Sequence, residues 1–301
     1  MEQILRAIYN DEIITKTAIR SDANILAIAL IGYLVITSFA SLAIVFFAGF
    51  RINGIVYLFA SLVGMAFLYI CFRKNFPFKE IMEETRSISR GTFFAAFVFI
   101  IGMQPVFQLL GQGIEALFAL GGKRIVFEPF DPTNGGLLYT VINMVIVGPI
   151  VEEVLFRGIV LRALSRHGRN FAVVSGAALF GLYHTNFIQF GHSFVIGLLL
   201  GYITFRYSIK WAIVLHCLHN LFMVIIALLN VPWFINYGVL GIFTLSAIGI
   251  FIAKRRVVKQ WTERQKSKVN AYKFFFRVPY ILTYIAIACI MAAMQTSISN
   301  L

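Results

Sequence analysis

Nine apolar stretches, at about residues 23–49, 52–72, 93–120, 137–156, 171–188, 190–207, 211–229, 232–253 and 278–298, punctuate the chain. A helix that crosses a bilayer needs about 20 mostly apolar residues, since each advances it by only about 1.5 Å. Hydrocarbon offers no water to a stray backbone N–H or C=O, so such spans must close their hydrogen bonds internally as helices. The expected fold is therefore all-α, a polytopic transmembrane helical bundle of about eight to nine spans. Composition agrees: at 59% hydrophobic and 13% charged, the chain has too few polar groups to coat a water-soluble globule.

The net charge of +13 suggests nucleic acid until its distribution is followed. Taking the segments between spans in order, Lys and Arg number 3, 5, 4, 2 and 9 on one alternating set and 1, 2, 0, 0 and 0 on the other. That bias places the richer set in the cytoplasm. The expectation is an integral membrane protein with its amino terminus inside and its carboxy terminus outside. The run from Lys254 to Arg277 is then a basic cytoplasmic loop facing anionic lipids, and no nucleic-acid partner is expected. Few cysteines, abundant Phe and Ile, and short loops fit a bacterial cytoplasmic membrane.

Four regions are expected: a cytoplasmic amino-terminal segment over 1–22, amino-terminal spans with an external loop over 23–136, a core over 137–229, and carboxy-terminal spans with the basic loop over 230–301. Residues 121–136, GGKRIVFEPFDPTNGG, form the clearest break and are read as an external loop. The first apolar run is too long for a cleavable signal peptide, and no lipidation pattern is expected at either end. The scattered Cys71, Cys217 and Cys289 give no disulfide or zinc pattern and read as small buried hydrophobes.

Against this background, GPIVEEVLFRG at 148–158 places Glu152, Glu153 and Arg157 inside a span. Ionisable residues are expensive there and mark function by default. Glu153 and Arg157, four apart, can pair on one helix face, which turns Glu152 about 100° away. Pro149 removes the N–H that would bond four residues back and is expected to kink the helix and admit water. FGLYH at 180–184 adds His184 one turn beyond Phe180, and HCLHN at 216–220 adds His216 one turn before Asn220. The expected cluster joins Glu152, His184, His216 and Asn220, with His219 open between packing and support. His167 and His192 are read as solvated, near loops. Remaining intramembrane residues read as nearly all apolar or small: the GQG at 111–113, and Gly197 with Gly201, are taken as places where helices approach closely.

The ordered triple Glu-Glu-x-x-x-Arg, Phe-x-x-x-His and His-x-x-x-Asn resembles the CAAX prenyl endopeptidase and bacteriocin-processing (CPBP, or Abi) family of intramembrane proteases, over about residues 137–229. The resemblance implies hydrolysis of a peptide bond in a membrane-associated peptide or protein. It makes Glu152 and His184 the activators of a water and His216 and Asn220 the oxyanion donors, with Glu153, Arg157 and Phe180 in support. General bases and preorganised donors of these types suit that chemistry. The family has been described both as metal-dependent and as metal-independent. If a metal is used, Glu152, His184 and His216 would hold zinc; without an HExxH pattern, no cofactor is the expectation.

Other classes fit less well. An aspartyl protease needs two membrane aspartates, and Asp11, Asp22 and Asp131 lie outside the predicted spans. A serine dyad at Ser175 lacks the glycine two residues earlier, where Val173 stands. A non-catalytic membrane scaffold and a proton- or ion-coupled transporter are the alternatives. Counting residues from the inner ends of their spans, His184 lies about 20 Å deep and His216 about 8–12 Å, so tilt, or a fourth helix extended to about Ala163, must bring them level in a cavity expected to open inward.

Overall fold

Long runs of helix-forming apolar residues become long helices. The computed structural model describes residues 2–48, 54–83, 86–126, 136–229, 231–264, 271–295 and 297–300. Its helices are α1 (Glu2–Ala48), α2 (Gly54–Phe72), the short α3 (Phe78–Ile81), α4 (Arg90–Leu120), α5 (Leu137–Ile142), α6 (Gly148–Glu153), α7 (Leu161–Ser165), α8 (Arg169–Tyr183), α9 (Phe187–Arg206), α10 (Ile209–Leu228), α11 (Trp233–Arg264), α12 (Ala271–Phe275) and α13 (Pro279–Gln295). Among the described residues, five helical segments are long and apolar enough to cross a membrane: Thr15–Phe47, Gly54–Phe72, Arg90–Leu120, Ile209–Leu228 and Phe234–Gln260. Side chains such as Phe39, Phe46, Ile70 and Leu245 point outward from them, an apolar belt that only lipid satisfies. The protein is a helical transmembrane bundle.

Three expectations about the polar parts change. Residues 123–126, taken as loop, form strand β1 (Lys123–Val126), which pairs antiparallel with β2 (Ser297–Asn300), Lys123 opposite Asn300 and Val126 opposite Ser297; the partner strand is supplied by the tail, too distant in sequence to anticipate. The rest of that loop, 127–135, lies outside the described residues. The basic segment from Lys254 is not a loop at first, because α11 runs on to Arg264 and carries Lys254 to Lys259 as exposed helix. Cys71 and Cys289, expected to be buried, are exposed on the apolar faces of α2 and α13.

The bundle has two distinguishable ends. At one, Arg86 N–H donates to Tyr207 O (3.2 Å) and Arg162 donates to Glu80 O. There too Asp22 of α1 accepts from Arg166 and bonds His167 Nε2 at 2.7 Å. His167 is therefore buried and hydrogen-bonded to Asp22 rather than solvated, and Asp22 sits within the apolar segment Thr15–Phe47. We call this the basic end, because the Arg- and Lys-bearing turns gather there. The opposite end carries the α8–α9 turn and the two-stranded sheet.

Glycines set how closely α8 and α9 approach. A Cβ on Gly197 would lie 3.0 Å from Ala177 Cα and 3.3 Å from Phe180, and one on Gly201 would lie 3.4 Å from Val173, so the close packing expected of these two positions is realised. At the turn, a Cβ on Gly181 would meet Phe190 at 2.9 Å on its ring and 3.0 Å at its carbonyl oxygen. Thr185 completes the reversal at φ +46°, a region that a β-branched residue enters only under constraint. The GQG expectation fails at Gly113, beside which the space is open.

The depth problem is resolved by an offset. A Cβ on Gly158 would touch Ile209 at 3.8 Å, so α10 begins level with Gly158 and well short of Ser165, where α7 ends. Counting about 1.5 Å per residue, Glu152 and His216 each lie about 10 Å beyond that common level. Gly176 faces Val160 and Leu161, and from there both His184 and Glu152 lie about 12 Å on. Gly181→Ala is expected to destabilise the bundle by about 1–3 kcal/mol through overpacking, read as a lowered thermal midpoint in detergent with the helical content intact.

Candidate active site

The polar residues sit at a seam between two apolar clusters. Val151, Leu155, Ile159 and Phe180 belong to the larger, and Ile196, Leu200 and Leu215 to the smaller. Packing on both sides fixes the side chains that project between them.

The rod from α5 to α7 is helical throughout but changes register twice, with π-helical turns over Asn143–Val147 and Val154–Val160 on either side of α6. Pro149 has no N–H to give, and the wider turn before it absorbs that loss, Gly148 N–H bonding Asn143 O. The expected kink is thus a π-turn. Asn220 Nδ2 donates to Met144 O at 2.8 Å, so α10 supplies a hydrogen bond to a carbonyl inside the distorted turn.

The two glutamates diverge as their spacing requires. Glu153 is 0% exposed and Arg157 3%. Glu153 Oε1 accepts from Arg157 Nη1 at 2.8 Å and bonds His216 Nδ1 at 2.9 Å. Arg157 lies over the Phe180 ring, its guanidinium carbon 4.4 Å from the centroid, a desolvated cation–π contact. Its Nη2 donates to Gly197 O at 3.5 Å. An ionised carboxylate only accepts, so a Glu153 paired with Arg157 accepts a hydrogen bond from His216 Nδ1–H. The other imidazole nitrogen, Nε2, faces Glu152 Oε2 at 3.7 Å.

Glu152 retains 17% side-chain exposure and lines a cavity of about 600 Å³ with Phe180, His184, His216 and Asn220. All four residues expected at the centre therefore reach one cavity, while Glu153 and Arg157 stand behind it. His184 caps the end of α8, its ring 4.9 Å from Phe180, which in turn lies 5.9 Å from His216. The imidazole that Glu152 faces is that of His216. His219 Nδ1 bonds Asn220 Oδ1 at 3.0 Å. Among the described residues, no group of three or more His, Cys, Asp or Glu side chains is arranged to hold a metal ion.

Sequence reasoning missed part of this cavity. His192, expected to be solvated, lies on α9 and is buried against His219, ring centroids 5.3 Å apart, and against Phe107 at 5.9 Å. Gln104, Gln108 and Gln112 of α4 also line the cavity, in a span read as nearly all apolar or small. Their spacing of four was a visible signal: three amides on one face of a membrane helix.

The amino-terminal half of the chain thus contributes a wall, but the acid and imidazole groups all fall in one continuous stretch. Residues 134–222 match the type II CAAX prenyl endopeptidase Rce1-like family. The match covers less than half of the chain. It takes in Glu152, Glu153, Arg157, Phe180, His184, His216 and Asn220, the residues that carry the resemblance to CPBP proteases, and the two agree. No curated protein and no solved structure matches the chain. The Rce1-like segment supplies the acid, the imidazoles and the buried ion pair, whereas α4 and α11 lie outside it.

Within the Rce1-like segment the two glutamates are expected to differ in stability. Glu153→Gln leaves Arg157 buried without its partner and should cost about 3–5 kcal/mol, seen as a large fall in thermal midpoint. Glu152→Gln, facing the cavity, should leave the midpoint within a few degrees of the parent.

Proposed function

We propose that the chain is a glutamate-dependent intramembrane endopeptidase of the CAAX-protease type, hydrolysing a peptide bond in a membrane-associated peptide or protein. The observation that carries this reading is the line Arg157–Glu153–His216–Glu152, which ends in a cavity inside the Rce1-like segment.

The geometry supports a specific course. Glu152 Oε2 and His216 Nε2, 3.7 Å apart, are too distant to bond each other but can both bond one water at about 2.8 Å. With Nδ1–H donating its hydrogen bond to Glu153, the neutral His216 ring offers Nε2 as an acceptor to that water and holds its orientation. Glu152 takes the water's proton as oxygen attacks the scissile carbonyl, then delivers it to the departing amine. Charge developing on the carbonyl oxygen is met by His184 and by the N–H of Asn220 not bound to Met144 O. This exchanges the roles that the family resemblance assigns to His184 and His216. The route uses protein groups alone, without a metal.

The excess of Lys and Arg at the basic end supports a cytoplasmic position for that end and for the amino terminus, in a bacterial cytoplasmic membrane. The exposed face of α11 from Lys254 to Lys259 suits contact with anionic headgroups.

Glu152→Gln and His216→Asn are each expected to lower cleavage at least about 100-fold with protein level unchanged. A comparison of membrane proteomes from parent and Glu152→Gln cells should reveal an accumulating uncleaved precursor. Full cellular function of Glu152→Gln would replace the enzyme by a scaffold, and ion-dependent flux in proteoliposomes would replace it by a transporter.

A further inference from the structure

The cavity extends from Glu152 toward the end of the bundle opposite the basic turns. Its walls follow the second half of α4 to Glu115, the first half of α9 from Gln189, and α10 beyond His216 as far as Ala227. These are the stretches next to the α8–α9 turn and the β1–β2 pair. A cavity opening inward and an amino terminus inside therefore cannot both hold. Of the 26 Lys and Arg, 23 fall in the alternating sequence segments of the basic set, and that imbalance decides orientation.

The walls also say what enters. Gln104, Gln108 and Gln112 form a row along α4 of about 12 Å at 1.5 Å per residue, and Gln108 and Gln112 are held by Tyr237 Oη of α11 at 3.2 and 2.8 Å. Across from them, His192 and His219 are each more than nine-tenths buried, and neither Nε2 has a hydrogen-bond partner. Buried polar atoms without partners are costly, and both residues line this cavity. Amides and imidazoles that donate and accept suit the alternating N–H and C=O of an extended chain, and 12 Å matches three to four residues at about 3.3 Å each.

We propose that the cavity receives an extended peptide segment from the extracytoplasmic face, its backbone held between the α4 glutamine row and the His192–His219 pair. This rests on the protease reading for its consequence: substrates are exported peptides or the outer segments of membrane proteins, not proteins finished in the cytoplasm.

The test is cysteine labelling, which needs no turnover, so failure of this proposal and failure of the protease reading are scored separately. With Cys71, Cys217 and Cys289 replaced by alanine, single cysteines are placed as Gln189→Cys at the mouth and Lys74→Cys at the basic end; both parent residues are exposed. A membrane-impermeant maleimide should label the first on intact cells and the second only after permeabilisation. A mixture of random decapeptides added outside should slow labelling at 189 at least threefold, and Gln104→Leu or Gln112→Leu should each weaken that protection while Lys74→Cys labelling stays as before. Labelling at 189 only after permeabilisation overturns the direction of entry. Equal labelling with and without peptide, or protection untouched in both leucine variants, overturns the occupant.

Discussion

A buried carboxylate anchored by an arginine organises the centre of this bundle. Glu153 is wholly enclosed and would be intolerable there as an unpaired charge. Arg157, one turn on, neutralises it, and Phe180 and Gly197 O receive the guanidinium. The same oxygen then fixes His216 through Nδ1, so a pair that looks merely structural sets which imidazole nitrogen faces the cavity and at what distance from Glu152. Helices α6, α8, α9 and α10 are thereby tied at one level.

Around that anchor, register changes do what a kink was expected to do. Two π-helical turns flank Glu152 and Glu153, the first taking up the missing N–H of Pro149 and leaving Met144 O to accept from Asn220. One N–H of the Asn220 amide therefore braces the rod while the other remains for the cavity. On the far side α4 closes the space, and Thr244 of α11 donates to Gly102 O at 2.9 Å, which holds the glutamine-bearing face in place. The cavity is thus assembled from the Rce1-like segment and from helices on both sides of it in sequence.

Much of the centre was legible because it depends on local periodicity. The 100° step between neighbouring helical residues separates Glu152 from the Glu153–Arg157 pair without any knowledge of the neighbours, and the structure keeps that separation. Phe180 with His184, and His216 with Asn220, likewise share faces. His192 and His167 were misread because nearness to a loop says nothing about what another helix brings: Phe107 and His219 cover the one, Asp22 the other. The α4 glutamines were overlooked although their spacing was plain, since amides draw less notice than charges in an apolar run.

By itself the sequence determined that these segments are helices in lipid, because hydrocarbon permits no other closed backbone for most of them, and it determined the order in which acid and imidazoles occur along the chain. Only the tertiary structure decided their heights. α10 starts level with Gly158 instead of at the end of α7, and this offset brings His216 beside Glu152. The direction in which the cavity opens was also decided there, because it depends on which halves of α4, α9 and α10 stand apart, a matter of packing between residues up to about a hundred positions distant that no periodicity within one helix encodes.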